Sequence, residues 1–336
     1  MIRCTLPWTQ LHLRENVSVC CWAKKPLGKL ADFRALEEAW NGPEIRAFRR
    51  SMAAGEMDAI CPADCPHRVG GTFAADRFES PPEEETSRRA VWRAIRDGAE
   101  TVSAGPLKLT VSLDDVCGLR CVMCDWNTGR WRIPPGFYDL LAASAGSLEE
   151  LEILGGEPFL SRNVRGLLKH AEGHPPSYEF SFVTSLSHFP AALLRGARLK
   201  QVVASIDGAT KETYEAVRVG GRWETVMKNL SALRELQRAA ARPFHVEVHF
   251  TVMRRNFAEI PDAVRLFDRL AVPLRFLSVN VPPRHPESLF PIRELHAPLA
   301  AAIGAGLATT RDPSTRSSLE SVRQSLRQHV ALSLQP

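Results

Sequence analysis

The sequence predicts an α/β fold whose core is a parallel sheet made of alternating strands and helices. Two observations predict it. From about residue 105, short β-branched and aromatic runs alternate with amphipathic helical segments, and Gly, Pro, Asp or Ser bounds each run. Repeated strand–helix units imply parallel strands joined by right-handed crossovers. This periodicity alone leaves two architectures open, a doubly wound open sheet and an incomplete barrel.

Six segments carry the strand pattern. They are LKLTVSL (107–113), LEIL (151–154), YEFSFVT (178–184), QVVASI (201–206), HVEVHFTVM (245–253) and LRFLSVNV (274–281). Between them, apolar residues recur at helical spacing in 163–173, 222–241 and 257–270. The sequence therefore predicts six strands with helices as the connections.

Segments outside this region are predicted from chain breakers and helical spacing. Residues 66–86 are rich in Pro, Gly and charge and are predicted as a linker, whereas 87–100 are predicted as a helix that ends at a glycine. The PPRHP run at 282–286 breaks the chain. Helices are then predicted near 287–308 and at 316–333. The second of these is amphipathic, so we expect it to pack on the main domain.

The composition is that of an ordinary globular chain. Its 336 residues are enough for one large domain and an appendage, with 44% hydrophobic and 24% charged residues. The formal charge of +5 is spread along the chain, which argues against nucleic-acid binding. No apolar run approaches the roughly 20 residues that span a membrane, and the opening MIRCTLPWTQ has no apolar signal segment. We therefore expect a cytoplasmic protein with reduced cysteines.

Eight cysteines form two groups along the sequence. The first group is Cys4, Cys20, Cys21, Cys61 and Cys65, and the second is Cys117, Cys121 and Cys124. In a reducing compartment such thiols are more often metal ligands or catalysts than disulfides. The second group follows the first predicted strand of the sheet, and the active sites of α/β proteins lie at the carboxyl ends of strands.

Three thiolates at C-x-x-x-C-x-x-C spacing cannot by themselves close a four-ligand metal site. Soft thiolates suit an iron–sulfur cluster, and three of them leave one iron of a four-iron cluster open to an outside ligand. A zinc site completed by a histidine from elsewhere in the chain fits the same spacing. The spacing alone leaves both possibilities open.

The cysteine loop resembles the signature of the radical S-adenosylmethionine (SAM) enzymes, and other motifs of that family follow it in order. The resemblance implies a TIM-like partial (βα)6 barrel with a small cysteine-rich module on its N-terminal side. It also implies that Cys117, Cys121 and Cys124 hold a catalytic 4Fe–4S cluster. The open iron of that cluster would bind the amino and carboxylate groups of SAM.

The segment GGEP follows the second predicted strand, where members of the family hydrogen-bond the amino group of the methionine moiety. The residues implied there are Gly155, Gly156, Glu157 and Pro158. We expect Glu157, or the backbone around it, to accept from the ammonium group. The residue before the third cysteine is Met123, where relatives usually have an aromatic residue, and its polarizable sulfur is expected to pack on the adenine.

Motifs at the ends of the next three strands complete the cofactor site that the resemblance implies. VTS ends the third strand with Ser185, where many relatives have asparagine. SIDG ends the fourth strand with Ser205 and Asp207, where a polar side chain meets the ribose or carboxylate. TYEAVR supplies Arg218, which is expected to pair with the cofactor's carboxylate. TVMRRN ends the fifth strand and places Val252 near the adenine.

The N-terminal stretch resembles the SPASM or twitch auxiliary-cluster module. It has a Cys beside Pro-Trp, a short hairpin ending in Cys-Cys, a Trp-Asn-Gly helix start and a closing cysteine pair, although relatives carry the module after the barrel. The ligands implied for a second, closed 4Fe–4S cluster are Cys4, Cys20, Cys61 and Cys65. Cys21 is left over or exchanges roles with Cys20. A structural zinc site that includes His67 is the alternative.

The resemblance divides the chain into four predicted parts. They are 1–75 (auxiliary module), 76–104 (linker and helix), 105–284 (radical SAM partial barrel) and 285–336 (C-terminal helical extension). Trp8, Trp22 and Trp40 are expected to pack the small N-terminal module rather than to contact a substrate.

The resemblance implies reductive cleavage of SAM to a 5′-deoxyadenosyl radical, which removes hydrogen from a substrate C–H bond. The predicted substrate is a small polar metabolite such as a sugar or aminoglycoside, and the predicted outcome is oxidation, dehydrogenation or epimerisation. A ribosomally made peptide or protein is the alternative substrate. A flavodoxin- or ferredoxin-type electron donor is implied, and neither nucleic acid nor a membrane is an expected partner.

The outcome of the reaction depends on whether the substrate radical loses an electron or gains a hydrogen atom. A closed second cluster would accept an electron and favour oxidation or cross-linking, whereas an epimerase needs a hydrogen donor. Cys21 and the tyrosines Tyr138, Tyr178 and Tyr214 are available as donors. A hypothesis from another class is a non-catalytic iron–sulfur or zinc scaffold, which predicts no cleavage of SAM.

Overall fold

The computed structural model describes residues 4–62, 65, 80–124, 131–278 and 285–333. The chain forms two compact units. The first unit comprises Met1–Asp114, Arg130–Gly155 and His170–Ser181, and the second comprises Asp115–Gly129, Gly156–Lys169 and Phe182–Pro336. The four-part division expected from the sequence stays a prediction.

The described residues form an alternation of strands and helices. The strands are β1 (Gln10–Leu13), β2 (Asn16–Ser18), β3 (Gly28–Lys29), β4 (Lys108–Val111), β5 (Arg120–Cys121), β6 (Glu150–Ile153), β7 (Glu179–Thr184), β8 (Leu199–Ser205), β9 (Arg218–Val219), β10 (His245–Val252) and β11 (Leu274–Ser278). The helices are α1 (Leu6–Thr9), α2 (Leu36–Trp40), α3 (Pro43–Ala53), α4 (Ser87–Arg96), α5 (Phe137–Ser144), α6 (Arg162–Gly173), α7 (Ala191–Arg195), α8 (Lys211–Val217), α9 (Trp223–Ala239), α10 (Ile260–Arg269), α11 (His296–Thr309) and α12 (Pro313–Ser333).

The sheet of the first unit runs in the order β6-β4-β1-β2-β3. β1 pairs antiparallel with β2, which confirms the predicted N-terminal hairpin. β1 also pairs parallel with β4, and β4 pairs parallel with β6. The sequence did not predict the pairing of β1 with β4. β1 has only four residues, and the alternation of so short a strand does not indicate which distant strand it pairs with.

The two faces of this sheet differ in polarity because side chains alternate along each strand. Leu11, Leu109 and Leu151 are neighbours across three strands and are fully buried. The next row on the other face is polar, with His12 beside Thr110 and Glu152, and Thr110 Oγ1 donates to Glu152 Oε2 at 2.9 Å. The apolar face forms the core of the unit.

Two tryptophans and an arginine pack the N-terminal part of the first unit. The indole N–H groups of the buried Trp8 and Trp40 each donate to a backbone carbonyl at 2.7 Å. The buried Arg49 guanidinium lies over the Trp40 ring at 4.5 Å and donates to the Pro7 carbonyl at 2.9 Å. Packing roles are therefore confirmed for Trp8 and Trp40, whereas Trp22 is only partly buried.

The sheet of the second unit runs in the order β11-β10-β8-β7. β10 pairs parallel with β8 and with β11. Val248 and Phe250 of β10 are buried on the apolar face, where the Phe250 and Phe276 ring centroids lie 5.4 Å apart. α10 packs against α11, and α12 packs against β11 and α11. The predicted packing of the amphipathic last helix is thus confirmed.

All six predicted strands are confirmed, and the α/β class with a mostly parallel sheet is consistent with a partial TIM-like barrel. The helix predicted near 287–308 begins only at His296, because Pro291 disfavours helical backbone at Phe290 and Arg293–Leu295 form a 3-10 turn. Most of the predicted linker, 66–79, lies outside the described residues. Among the described residues, no helix is both long and apolar enough to span a membrane.

Candidate cluster and cofactor site

The second unit holds the loop that carries Cys117, Cys121 and Cys124, here called the loop cysteines. Cys117 and Cys121 are partly buried and Cys124 is exposed. The Cys121 thiol lies within electrostatic range of the other two. Backbone pairing fixes the loop, because β5 runs antiparallel to β9 and the Val122 N–H donates to the Val217 carbonyl at 3.0 Å.

Burial alters the ionisation of these thiols. It raises the pKa of Cys121 to about 11, although the nearby Arg218 cation acts to lower it. Burial likewise raises the pKa of Cys117. A thiol of raised pKa stays protonated near neutral pH unless a metal takes the place of the proton. The loop therefore supplies soft ligands that a metal centre would hold as thiolates.

Arg218 and Asp207 form a buried ion pair beside these thiols. Arg218 Nε donates to Asp207 Oδ2 at 2.6 Å, and Arg218 Nη2 lies 2.5 Å from the same oxygen. Asp207 is fully buried, and its Oδ1 accepts from the Thr251 N–H at 2.6 Å. Burial acts against the charge of Arg218, but the Asp207 carboxylate and Cys121 raise its pKa above the ordinary value. Arg218 thus stays charged, and its predicted pairing with the SAM carboxylate stays a prediction.

The Glu157 side chain is fully buried in the second unit, and its hydrogen bonds join the turn that contains it to the end of β7. Its Oε1 accepts from Thr184 Oγ1 at 2.5 Å and from the Phe159 N–H at 3.2 Å. Its Oε2 accepts from the Ser185 N–H at 2.7 Å and from the Ser185 hydroxyl at 2.5 Å. Two residues predicted to contact the cofactor are therefore bonded to each other. Because both oxygens of the Glu157 carboxylate already accept hydrogen bonds, the backbone of the turn is the remaining expected acceptor for the ammonium group.

The turn before Glu157 needs its two glycines. Gly155 and Gly156 have φ values of +87° and +55°, which side-chain-bearing residues rarely adopt. A Cβ on Gly156 would lie 2.4 Å from the Val116 carbonyl oxygen. Within the described part of the chain, no N–H or hydroxyl group donates to either glycine carbonyl. The turn therefore offers acceptors that fit an ammonium group.

The remaining predicted cofactor contacts lie in the same unit. Met123 and its neighbour Val122 pack against the buried Val217 and Met253. Ser205 is partly buried at the end of β8, whereas Pro158 and Val252 are buried. Their contacts with a cofactor stay predictions.

The sequence analysis assigned no role to Asn256 and named Tyr214 only as one of several candidate hydrogen donors. Asn256 is fully buried, and its side chain accepts from the Met253 N–H at 2.7 Å and donates to the Asp207 carbonyl at 3.0 Å. Tyr214 is fully buried near Arg218, and its hydroxyl has no hydrogen-bond partner among the described residues. Asn256 is the last residue of the quoted motif TVMRRN, and that position was the signal available for it.

A polar group also occupies one face of the second unit's sheet. Glu247 is buried, and its Oε1 lies 2.7 Å from His249 Nε2 and 3.4 Å from Arg275 Nε. Gln201 Nε2 donates to the same oxygen at 3.2 Å. Burial acts to raise the pKa of Glu247, but the His249 hydrogen bond and the neighbouring cations lower it to about 2. The alternation of HVEVHF was the signal that these side chains share a face.

The first unit holds the other predicted ligands, here called the N-terminal cysteines. They are Cys4, Cys20, Cys61 and Cys65. All but Cys20 are buried, and Cys61 shares a hydrogen bond with Cys65. Burial raises the pKa of Cys4 and of Cys20 to about 11, and neighbouring thiols raise both further. His67, the alternative zinc ligand, lies outside the described residues.

The soft thiols of both sets suit either a zinc ion or an iron–sulfur cluster. Across the described ranges, no three His, Cys, Asp or Glu side chains converge closely enough to hold one metal ion. In a four-iron cluster the thiolates bind separate irons, so they surround the cluster without meeting at one point. A second cluster in the first unit stays a prediction.

Comparison with known proteins gives a family match and distant relatives. Residues 111–267 match the family model described as the Radical SAM superfamily. The GTP 3′,8-cyclase of Streptomyces coelicolor is 28% identical over 158 residues, covering 42% of this chain and 46% of that protein. The mycofactocin maturase MftC of Mycobacterium ulcerans is 29% identical over 179 residues, covering 51% and 46%. The chain spans about half the length of the curated relatives it matches.

Solved structures show a weaker likeness. Streptococcus suis SuiB bound to S-adenosylmethionine matches with a TM-score of 0.47 and 14% identity, covering 68% of this chain and 56% of SuiB. The protein anSMEcpe with bound AdoMet matches with a TM-score of 0.46 and 14% identity, covering 57% and 58%. Likeness at this level says nothing about a substrate. Residues 111–267 of this chain are therefore similar to the Radical SAM superfamily.

Proposed function

We propose that this protein is a radical SAM enzyme that removes hydrogen from a C–H bond of its substrate. The observation that carries the proposal is the set of loop cysteines, which supplies three thiols in one loop. A four-iron cluster held by three thiolates keeps one iron open, and that iron is the place for SAM. When bound, the cluster and SAM together supply the 5′-deoxyadenosyl radical.

The chain's own residues bind and orient these groups. The loop cysteines hold the cluster, and the glycine turn at Gly155 and Gly156 presents carbonyl acceptors to the ammonium group of SAM. Glu157 holds the turn to Ser185 through the hydrogen bonds described above. Arg218 supplies a cation for the carboxylate of SAM. Ser205, Asp207, Pro158, Met123 and Val252 line the rest of the proposed cofactor site.

The proposed substrate is a small polar metabolite. Glu247, His249 and Arg275 form a polar face on the sheet of the second unit and are suited to hydrogen-bonding hydroxyl or acidic groups. Relatives named GTP 3′,8-cyclase support a small-molecule substrate. The proposed outcome is oxidation, dehydrogenation or epimerisation. Tyr214 is the predicted hydrogen donor that lies close to the Arg218 pair.

A second candidate function is maturation of a ribosomally made peptide or protein. Relatives named mycofactocin maturase, which match over half of this chain, favour it. In either case we propose a second 4Fe–4S cluster at the N-terminal cysteines, a flavodoxin- or ferredoxin-type electron donor and a cytoplasmic location. A zinc site at the N-terminal cysteines is the competing assignment.

The decisive test is cleavage of SAM by anaerobically reconstituted protein. Reduction with dithionite should yield methionine and 5′-deoxyadenosine, and the iron content should approach about eight atoms per chain if both clusters form. Iron-loaded protein that yields no 5′-deoxyadenosine would favour the non-catalytic scaffold. Deuterium transfer from labelled glycosides or peptides into 5′-deoxyadenosine would then separate the two substrate classes.

A further inference from the structure

The Arg218 side chain is shared between a carboxylate and one of the loop cysteines. Its Nε and Nη2 atoms are taken by Asp207 Oδ2, at 2.6 and 2.5 Å. Its third nitrogen, Nη1, lies 3.8 Å from Cys121 Sγ, within hydrogen-bonding reach of a sulfur acceptor. The side chain is only 12% exposed, so water does little to screen its charge.

The backbone holds this arrangement from both sides. In the β5–β9 pair, Cys121 is the direct partner of Arg218, so the thiol and the guanidinium start from adjacent strands. Asp207 is fixed in turn by the Thr251 N–H on its Oδ1 and by Asn256 on its carbonyl. Strand pairing and the buried Asp207 carboxylate therefore hold the Arg218 guanidinium against the Cys121 sulfur.

A fixed cation beside a ligand sulfur alters how easily a cluster is reduced. Reduction adds one negative charge to the cluster and its thiolates, and hydrogen bonds and nearby positive charge stabilise that added charge. In a site of low dielectric the effect is larger than in water. Removing the cation should therefore make the cluster harder to reduce.

We propose that Arg218 is a positioning residue that raises the reduction potential of the loop cluster through a charged hydrogen bond to the Cys121 sulfur, with Asp207 holding the guanidinium in place. This inference rests on the proposed function, because it requires a cluster on the loop cysteines. It differs from the predicted pairing of Arg218 with SAM, since it acts when SAM is absent.

The test is a redox titration of reconstituted protein without SAM, followed by electron paramagnetic resonance. The signal of the loop cluster is identified as the one missing from the Cys117→Ala protein. Arg218→Gln should lower the midpoint potential by about 59 mV or more, which is a tenfold change in the equilibrium constant of a one-electron couple. Arg218→Lys keeps the charge but loses the fork, so it should give a smaller shift in the same direction. Arg222→Gln, a nearby charge change outside this contact, should leave the potential unchanged.

Each other outcome has a defined meaning. If Arg218→Gln and Arg218→Lys load the cluster with an unchanged potential, the inference is overturned, and weaker SAM binding in the same proteins would assign Arg218 to the cofactor alone. If Arg218→Gln cannot be loaded, the Arg218→Lys titration decides the matter in the same way. If the wild-type loop itself takes up no iron, the proposed function fails, and that failure is distinct from an unshifted potential.

Discussion

The N-terminal cysteines and the loop cysteines differ in burial and in the charges around them. Three of the four N-terminal thiols are buried. Burial and neighbouring thiols raise the pKa of Cys4 and of Cys20, whereas the hydrogen bond with Cys65, followed by burial, raises the pKa of Cys61. Among the loop cysteines, Cys117 and Cys121 are only partly buried and Cys124 is exposed, and Cys121 lies against the Arg218 cation. A buried set of four thiols suits a closed centre, whereas an accessible set of three with a cation beside it suits a centre that exchanges ligands and electrons.

The largest expected effect is on SAM cleavage, and it tests directly whether the two sets of cysteines have different roles. Cys117→Ala should abolish 5′-deoxyadenosine formation, because the loop cluster loses a ligand. Cys61→Ala should remove about four irons per chain and leave SAM cleavage in place. Iron analysis and chromatography of reaction products under dithionite measure both effects. If Cys61→Ala protein retained the loop-cluster signal but no longer cleaved SAM, the expectation that cleavage needs only the loop cluster would be wrong.

The next effect concerns the scaffold of the loop cysteines' unit. Glu157→Gln places an amide N–H₂ group among donors that now meet a carboxylate oxygen, so it should cost about 2–4 kcal/mol of unfolding free energy. Urea denaturation measures the loss. Glu224→Gln, which breaks an exposed pair with Lys211, is the matched control and should change little. Equal effects in the two variants would contradict the role of Glu157 in joining its turn to the end of β7.

A similar test applies to the scaffold of the N-terminal cysteines. Arg49→Met removes the hydrogen bond to the Pro7 carbonyl and the contact with the Trp40 ring, and should cost about 2–3 kcal/mol. Denaturation followed by tryptophan fluorescence measures this loss. Arg46→Met, on the same helix but half-exposed, should have a much smaller effect. The comparison would be sharpened further if Arg49→Met lowered iron retention at the N-terminal cysteines and left the loop cysteines loaded.

The smallest expected effect is a pH dependence in the second unit. The pKa of Glu247 is lowered to about 2 from its ordinary 4.5, so its stabilising contribution is complete above pH 4.5 and is lost as the pH falls towards 2. The difference in unfolding free energy between wild type and Glu247→Gln should therefore shrink across that interval. Urea denaturation at several pH values measures it. A difference that is constant with pH would mean that the Glu247 charge contributes nothing.

Local patterns in the sequence were enough for the strands and for the three thiols of one loop. β-branched and aromatic runs bounded by Gly, Pro, Asp or Ser predicted six strands that are all present. The metal centre that the cysteine spacing indicates stays a prediction. The late start of α11 was missed because the effect of Pro291 was not weighed against the helical spacing. The roles expected for Glu157 and Arg218 were taken from their motifs, which do not show what each side chain already bonds.

The sequence by itself determined the α/β class and the three-thiol chemistry of the loop, because periodicity and spacing are properties of neighbouring residues. Only the tertiary structure decided that β1 joins β4, that Glu157 bonds Ser185 and that Arg218 lies between Asp207 and Cys121. The partners in these pairs are 11 to 98 residues apart in the chain. Parallel pairing joins β1 to β4, antiparallel pairing of β5 with β9 places Cys121 beside Arg218, and the pair of Glu157 with Ser185 forms between segments that follow strands. The partner that a buried charged side chain finds depends on these tertiary contacts, and no local sequence pattern specifies that partner.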